Sequence, residues 1–426
     1  MFGKRETDVL VVGAGPVGLF TALCLREHGV AVEVIDSQRR TAARSYALAL
    51  HPQSLELLAG SGLAGALIRA GSRISRIALC DRVKERAAIH LEALGGTFPF
   101  VLVVPQKTLE AALEKRLRAE GVRVRWNHRL SRLAAKGARV SASVDVLRKE
   151  SLGYPIATSA WVIARRETTN ARFVIGADGF GSGVRRALGI DFESIAPPAR
   201  YEVFELEASA GSLSEVRVML GAETADVFWP LASDRCRFSF QVAEDEGALG
   251  ALQRAKSRLA IQIDEELYPH ADQERFHQLV ARRAPWFDAA IGDLTWSVSV
   301  RFESRLAKRF GEGAVWLAGD AAHLWTPIGV HSMNAGLREA HELARIIAVI
   351  VRDGVPHDRL DAYGREQQAA WQQLLATGQA AEVGSRADAW VRAHAARIPA
   401  CIPASGEALE TLLGQLAIGV GSRAYA

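Results

Sequence analysis

The segment TDVLVVGAGPVGLFTALCLREHGVAVEVID (Thr7 to Asp36) constrains this chain more than any other. Val9 to Val12 is an unbroken apolar run, the pattern of a strand buried on both faces of a parallel sheet. Gly13, Gly15 and Gly18 follow with GxGxxG spacing, and Pro16 and Val17 open a helix. In such a turn the first glycine permits the tight bend. The second lets backbone approach a pyrophosphate, and the third lets the helix pack closely on the strand. The helix N-terminus offers N–H groups and partial positive charge to that anion. Ala22, Leu23 and Leu25 give the helix an apolar face, and Gly29 ends it. A second strand, Ala31 to Ile35, delivers Asp36, with Ser37 beside it, where a carboxylate suits a ribose hydroxyl pair. Val9 to Leu25 is uncharged, yet it is short for a membrane span, holds Gly-Pro in its middle and follows Glu6 and Asp8. No membrane span is expected.

Two later segments repeat the theme of an apolar strand running into a Gly-rich turn. They are RFVIGADGFGSGVRRALG (Arg172 to Gly189) and GAVWLAGDAAHLWTPIGVHSMNAGLREAHELA (Gly313 to Ala344). Three ligand-facing segments so far apart imply a discontinuous domain wrapped round one extended dinucleotide.

A chain of 426 residues with 49% hydrophobic composition can bury a large core, and its length suggests two or three domains. The net charge of +4 is small and no basic run interleaves with aromatics, so nucleic acid is not an expected partner. Mild basicity suits anionic cofactors and carboxylate substrates. Cys24, Cys80, Cys236 and Cys401 lack metal or redox spacing, which reads as a reduced cytoplasm without disulfides or a metal centre.

The expected fold is α/β: a Rossmann-like dinucleotide domain from 1–72, 101–182 and 296–357, with an inserted β-rich substrate domain from 73–100 and 183–295. A helical segment, 358–426, closes the chain. Pro52 opens a helix carrying Leu55, Leu57 and Leu58, residues 73–100 alternate as antiparallel strands, and Val101 to Trp126 reads strand, amphipathic helix, strand. Residues 130–170 read as a β-meander, and a helix is expected near Ala255–Glu266.

Together these residues resemble the FAD-containing aromatic monooxygenases of the p-hydroxybenzoate hydroxylase type, over roughly residues 7 to 370. The second segment resembles that family's DG motif in Asp178 and Gly179, followed by Arg185. The third resembles its GD motif in Gly319 and Asp320, which implies that Asp320 binds the ribityl chain. Pro327 matches the proline beside the flavin's reactive edge. Asn334 matches the helix start at the pyrimidine side of the ring, with Gly329, Ser332 and Met333 as its neighbours there, where partial positive charge suits the anionic reduced flavin. Arg44 and Gln106 resemble the family's flavin-side arginine and glutamine. The chain departs from the relatives' PxxGQGxN pattern at His331 and Ser332. His331 reads either as a residue near the flavin or proton shuttle, or as a packing histidine. After the common core the remaining residues are too few for the extra thioredoxin-like domain of some relatives.

The resemblance implies tightly held, non-covalent FAD, transient NADH or NADPH, O2, and a small aromatic substrate. Oxygen transfer passes through a flavin C4a-hydroperoxide, so the site must be dry and largely apolar. A single GxGxxG suits a nicotinamide nucleotide that docks only transiently. Tyr46, Tyr201, Phe204, Phe228, Trp229, Phe238 and Phe240 are candidates for the pocket or for the core, and Tyr201, His51 and His331 for a base. Pro327, His331, Tyr201 and Arg44 are the candidate catalytic residues. The alternatives are a halogenase or reductase on the same scaffold, or an FAD or aromatic-ligand binder without turnover. A halogenase's WxWxIP signature is missing: Trp161 is followed by Val-Ile-Ala. The expected assembly is a monomer or homodimer in the cytoplasm.

Overall fold

A computed structural model describes residues 4–39, 49–136, 139–152, 158–208, 214–243 and 273–420. Arg44, Tyr46 and the helix expected near 255–266 lie outside these residues.

The first strand, Lys4–Val12, pairs in parallel with Val32–Ile35 on one side and with the long strand Thr158–Gly176 on the other. Val9, Leu10 and Val11 are fully buried, as a strand covered on both faces requires. Val124–Arg125 extends the sheet beyond Val32–Ile35, and Val315–Leu317 pairs in parallel with Thr158–Gly176. Register decides what this sheet can do. Val12 stands opposite both Ile35 and Gly176, and Gly176 opposite Leu317. The chain therefore leaves four strands at one level of the sheet, at their carboxyl ends, where open α/β sheets bind ligands. Cross-links hold the level: Gly13 N–H donates to Ile35 O (2.8 Å), Ala177 N–H to Val12 O (2.8 Å) and Ala318 N–H to Gly176 O (2.9 Å).

Helix Pro16–Glu27 is buried along most of its length and packs on helices Gln106–Ala119 and His331–Asp353. The antiparallel hairpin His128–Lys136 and Arg139–Leu152 continues the sheet from Thr158–Gly176, as the meander expectation requires.

A second eight-stranded sheet runs in the order His323–Leu324, Ile291–Ala307, Phe192–Ala208, Arg235–Val242, Ala225–Leu231, Val216–Leu220, Arg76–Cys80, Glu85–His90. The early hairpin thus joins strands from the later insertion, Arg76–Cys80 pairing in parallel with Val216–Leu220. The junction expected at 295/296 falls inside the strand Ile291–Ala307, which pairs with Phe192–Ala208 from Ile291 to Ala307. Helix Gln273–Arg283 covers one face of this sheet.

The C-terminal segment is mainly helical (Asp358–Ala376, Ala389–His394, Glu407–Gly414), with the short pair Ala381–Val383 and Ile418–Val420. It is fastened to the second sheet. Arg397 donates to the carbonyls of Gly221 (2.6 Å) and Thr224 (2.6 Å), and Gln415 pairs with the backbone of His90. No helix among the described residues is long and apolar enough to cross a membrane.

Candidate functional site

The glycines of the first turn divide by task. Gly13 has φ +107°, and a Cβ there would stand 2.1 Å from Ala177 O. A Cβ on Gly18 would stand 2.1 Å from Gly13 O. Both positions are closed by packing. Gly15 differs: a Cβ there meets nothing within 4 Å. Its bare face looks onto open space at the helix start, where Val17 and Gly18 have N–H groups with no helical carbonyl to receive them. Asp36 accepts from Ala14 N–H (2.7 Å) and Gln38 N–H (2.7 Å), so its carboxylate is tied to the glycine turn itself. Burial pushes its pKa up against the pull of those two donors. Ser37 beside it is exposed.

Asp178 turns inward on its own loop. It accepts from Ser182 Oγ (2.5 Å), Gly183 N–H (2.7 Å) and Val184 N–H (3.2 Å), capping the short helix Gly183–Ala187. Its contribution is to shape the turn whose Ala177 and Gly179 reach the cavity wall. Arg185, 6% exposed, donates to Ala321 O (2.7 Å) and Phe180 O (2.7 Å) and lies over the Phe192 ring at 3.9 Å. This guanidinium bolts the second turn to the third.

The third turn is held from behind by Glu339. Its carboxylate accepts from Gly319 N–H (3.1 Å) and Trp371 Nε1–H (2.9 Å) and pairs with His323 Nε2 (2.8 Å). His323 stacks on Trp371 at 4.0 Å, a packed structural role. Asp320 opens into the cleft, at the bottom of a hollow dense with protein that raises its pKa.

Beyond it, Val330 adopts φ +52° and ψ +38° immediately before helix His331–Asp353. A β-branched residue in the left-handed region is strained by about 1–3 kcal/mol. Asn334 holds the conformation: it donates to Val330 O (2.7 Å) and Ala49 O (3.0 Å) and accepts from His51 N–H (2.8 Å). Ser332 Oγ accepts from Trp325 N–H (2.9 Å). Asn334 therefore serves the site by fixing the helix start, with its amide group fully engaged. Gly329 is closed by His331 and Ala400 O, at 2.2 and 2.7 Å from a notional Cβ.

These turns surround a cavity of about 350 Å³ lined by Gly15, Pro16, Val17, Gln106, Ala177, Gly179, Asp320, Trp325, Pro327, Val330, Ser332 and Met333, among others. Its donor set fits FAD. There is an open glycine and free helix N–H groups for a pyrophosphate, a carboxylate for polyol hydroxyls, and a helix N-terminus with an apolar wall for a ring system.

Residues 6–377 match the family model described as FAD binding domain. The chain belongs to this FAD-binding family. It is 29% identical over 376 residues to the 6-methylpretetramide 4-monooxygenase of Streptomyces rimosus, covering 87% of this chain and 60% of that protein. It is 30% identical to the rifampicin monooxygenase of Streptomyces venezuelae, covering 86% of this chain and 69% of that protein. The chain thus spans roughly two thirds of these curated relatives. The fold is that of the p-nitrophenol 4-monooxygenase of Pseudomonas putida, with a TM-score of 0.72, 20% identity and 97% of both chains covered.

In this FAD-binding protein the second sheet meets the flavin cleft at a crevice of about 10 Å³, room for a single water. Val203, Trp229, Arg237 and Ser239 line it, together with Phe302, Pro327 and Val330, which also line the cleft. Four of the expected pocket aromatics are elsewhere. Phe204, Phe228, Phe238 and Phe240 point to the opposite face of the sheet, in a cluster with Phe276, Trp286 and Phe287 under helix Gln273–Arg283. Side chains alternate along a strand, so the residues between these phenylalanines are the ones that face the flavin side. Arg237 and Ser239, which the sequence reading passed over, are among them. Arg237 is paired with Glu205 (2.9 Å).

The candidate bases are also placed. Tyr201 lies 2% exposed with its ring edge-on to Phe302 and its hydroxyl against Thr326, and burial pushes its pKa well up. It stays a phenol near neutrality. His51 Nε2–H donates to Gly329 O (2.9 Å), and burial holds its imidazole neutral. His331 is buried against Trp325 (4.8 Å) and His51 (5.6 Å), behind the loop rather than in either cavity. Its ring lies near Ala400 O, but neither nitrogen reaches hydrogen-bond geometry, and burial lowers its pKa to about 4. All three are corrected from candidate bases to packing or donor groups. Gln106 lines the cleft and donates to Glu110 (2.7 Å).

Proposed function

We propose that this protein is an FAD-dependent monooxygenase that uses NADH or NADPH and O2 to hydroxylate a small aromatic or polycyclic molecule. The observation that carries this reading is the flavin cleft of about 350 Å³, which meets the second sheet at Pro327, Val330 and Phe302. There the sheet presents Trp229, Val203, Arg237 and Ser239 to the flavin side. When bound, FAD supplies electron acceptance from the nicotinamide nucleotide and activation of O2.

The chain's own residues supply position and dryness. Gly15, Val17 and Gly18 cradle the pyrophosphate, and Asp36 faces the adenosine ribose. Asp320 takes the ribityl hydroxyls, held in place by Glu339 from behind and by Arg185 from the side. The helix start at His331 to Asn334 offers N–H groups to the pyrimidine edge, where negative charge accumulates on reduction. Trp229, Val203 and Phe302 exclude water from the substrate, Ser239 orients its oxygen atoms, and Arg237 stays paired with Glu205.

In this reading 1–72, 101–182 and 296–357 form the FAD part and 73–100 and 183–295 the substrate part. The enzyme works in the cytoplasm as a monomer or homodimer. The test is purification of the yellow protein, then oxygen uptake and product mass over a panel of phenols and polycyclic aromatics. Product one oxygen atom heavier, with substrate-stimulated NAD(P)H oxidation, supports the assignment. A halogenated product, or binding without NAD(P)H oxidation, overturns it.

A further inference from the structure

Gln106 reaches the flavin cleft from the first turn of helix Gln106–Ala119. Four residues on, where a helix returns to the same face, stands Glu110, 2% exposed and not itself in the cleft wall. Gln106 Nε2–H donates to Glu110 Oε1 (2.7 Å). The other carboxyl oxygen, Oε2, is buried and meets no donor among the described residues. We propose that Glu110 is a positioning residue: as a neutral acid it fixes the Gln106 amide for the cofactor, and it takes up a proton from water when FAD binds.

The two acids at this end of the cleft are equipped for opposite states. Asp36 has a backbone donor on each oxygen, Ala14 N–H on Oδ2 and Gln38 N–H on Oδ1, both at 2.7 Å. Such donors favour the charged form. Glu110 has one side-chain donor and one bare oxygen. Protonation at Oε2 therefore breaks no hydrogen bond, while ionisation leaves a buried charge half satisfied. Among the described residues no cation acts on it. Helices Pro16–Glu27 and Ala64–Ala70 pack on the same helix but bring no charge to bear. The charges that do act are Asp36, just beyond strand Val32–Ile35, and Glu114 on Glu110's own helix, both acidic. Burial and these neighbours raise the Glu110 pKa to about 7, so it sits between its two states near neutrality. Surroundings that drive two carboxyls apart in this way divide them into a charged and a neutral member.

FAD then tips the balance. Its diphosphate is anionic, and Gly15, Pro16 and Val17 line the same cleft as Gln106. Asp36 is tied to that glycine turn through Ala14. Negative charge brought to the turn disfavours ionisation of Glu110 further, so binding draws a proton onto Oε2. A rise of one pK unit on binding makes FAD bind about tenfold more weakly well above the two pKa values than well below them.

Titrating full-length apoprotein with FAD in a calorimeter, at about pH 7.5 in buffers of different ionisation enthalpy, counts the protons taken up. Quenching of flavin fluorescence gives Kd from about pH 6 to about pH 9. The parent is expected to gain a fraction of a proton per FAD and to lose affinity about tenfold across that range. Glu110→Gln keeps an acceptor for Gln106 and cannot titrate. It should take up no proton and hold the parent's low-pH affinity at every pH. Glu110→Leu removes the acceptor and should bind FAD about fivefold to tenfold more weakly throughout. A merely structural role for Glu110 would leave the pH profile of Glu110→Gln like that of the parent. No proton uptake by the parent, equal uptake by Glu110→Gln, or equal affinity in Glu110→Leu and Glu110→Gln would overturn the proposal. If Glu110→Leu does not fold, the proton counts of the parent and Glu110→Gln still decide.

Discussion

Gly15→Val separates what the first turn does for the fold from what it does for the cofactor. Gly15 has φ −72° and ψ 179°, extended backbone that a valine adopts, and a Cβ there meets no atom within 4 Å. It caps helix Pro16–Glu27 without a side-chain hydrogen bond, so no such bond is lost. The expected cost to the apoprotein is at most about 1 kcal/mol. The cost to FAD is larger. A pyrophosphate at this helix start accepts from the N–H groups of Val17 and Gly18, and bonds to a charged acceptor contribute about 1.5–3 kcal/mol each. A valine side chain in the open space holds the phosphate off both donors. That removes about 3 kcal/mol or more, equivalent to about a hundredfold in Kd. Titrating FAD into apoprotein, with quenching of flavin fluorescence as the signal, measures the second number, and thermal unfolding of apoprotein measures the first. Gly18→Ala is the opposing control: its Cβ would meet Gly13 O at 2.1 Å, so it should impair folding itself. A Gly15→Val protein that is folded and binds FAD like the parent refutes the placement of the phosphate. One that fails to fold refutes the claim that this face is open.

Four further outcomes are expected. Arg185→Met should lower stability by about 3 kcal/mol and weaken FAD binding, because it leaves Ala321 O and Phe180 O without their buried donor; urea unfolding and FAD titration check this. Phe238→Ala should cost about 3–5 kcal/mol of stability with KM unchanged, whereas Trp229→Ala should raise KM; steady-state kinetics of the two variants separates core from pocket. Glu110 is buried, which raises its pKa from 4.5 to about 7, so the folded state prefers it protonated and loses stability as pH rises through that interval. Glu110→Gln should therefore raise the unfolding free energy measured with urea at about pH 8, by up to about 3 kcal/mol, and change little at about pH 4. His331 runs the other way: burial lowers its pKa from 6.5 to about 4, so the unfolded chain takes up the extra proton and stability falls as pH drops across that window. His331→Gln should flatten the acid limb of stability against pH by up to about 3 kcal/mol.

How much of this was legible in the sequence follows from the range over which each feature is determined. The glycine turn and the strand before it are set within a few residues, so Gly13, Gly15, Gly18 and Asp36 are readable from spacing alone. The alignment of Val12, Gly176 and Leu317 is long-range, yet legible, because each buried strand ends in its own Gly-rich turn. Side-chain duty within the motifs was less legible. Asp178 and Asn334 match ligand-facing positions, but their short polar side chains are equally suited to capping turns, and they are spent there. The alternation Arg237-Phe238-Ser239-Phe240 shows two faces and does not say which one a helix covers. Helix Gln273–Arg283 decides that, and it lies far along the chain from this stretch. His331 is neutral and unavailable because Trp325 and the loop at Ala400 enclose it, a contact between segments that no local pattern announces.

The most direct test of the account is a crystal structure of the chain with FAD bound. The account places the pyrophosphate on the Gly15–Val17 turn and the ribityl chain beside Asp320. The ring edge then lies along Pro327 to Val330, facing Trp229 and Ser239. A flavin ring lying away from Pro327, or a phosphate bound away from that helix start, would contradict it.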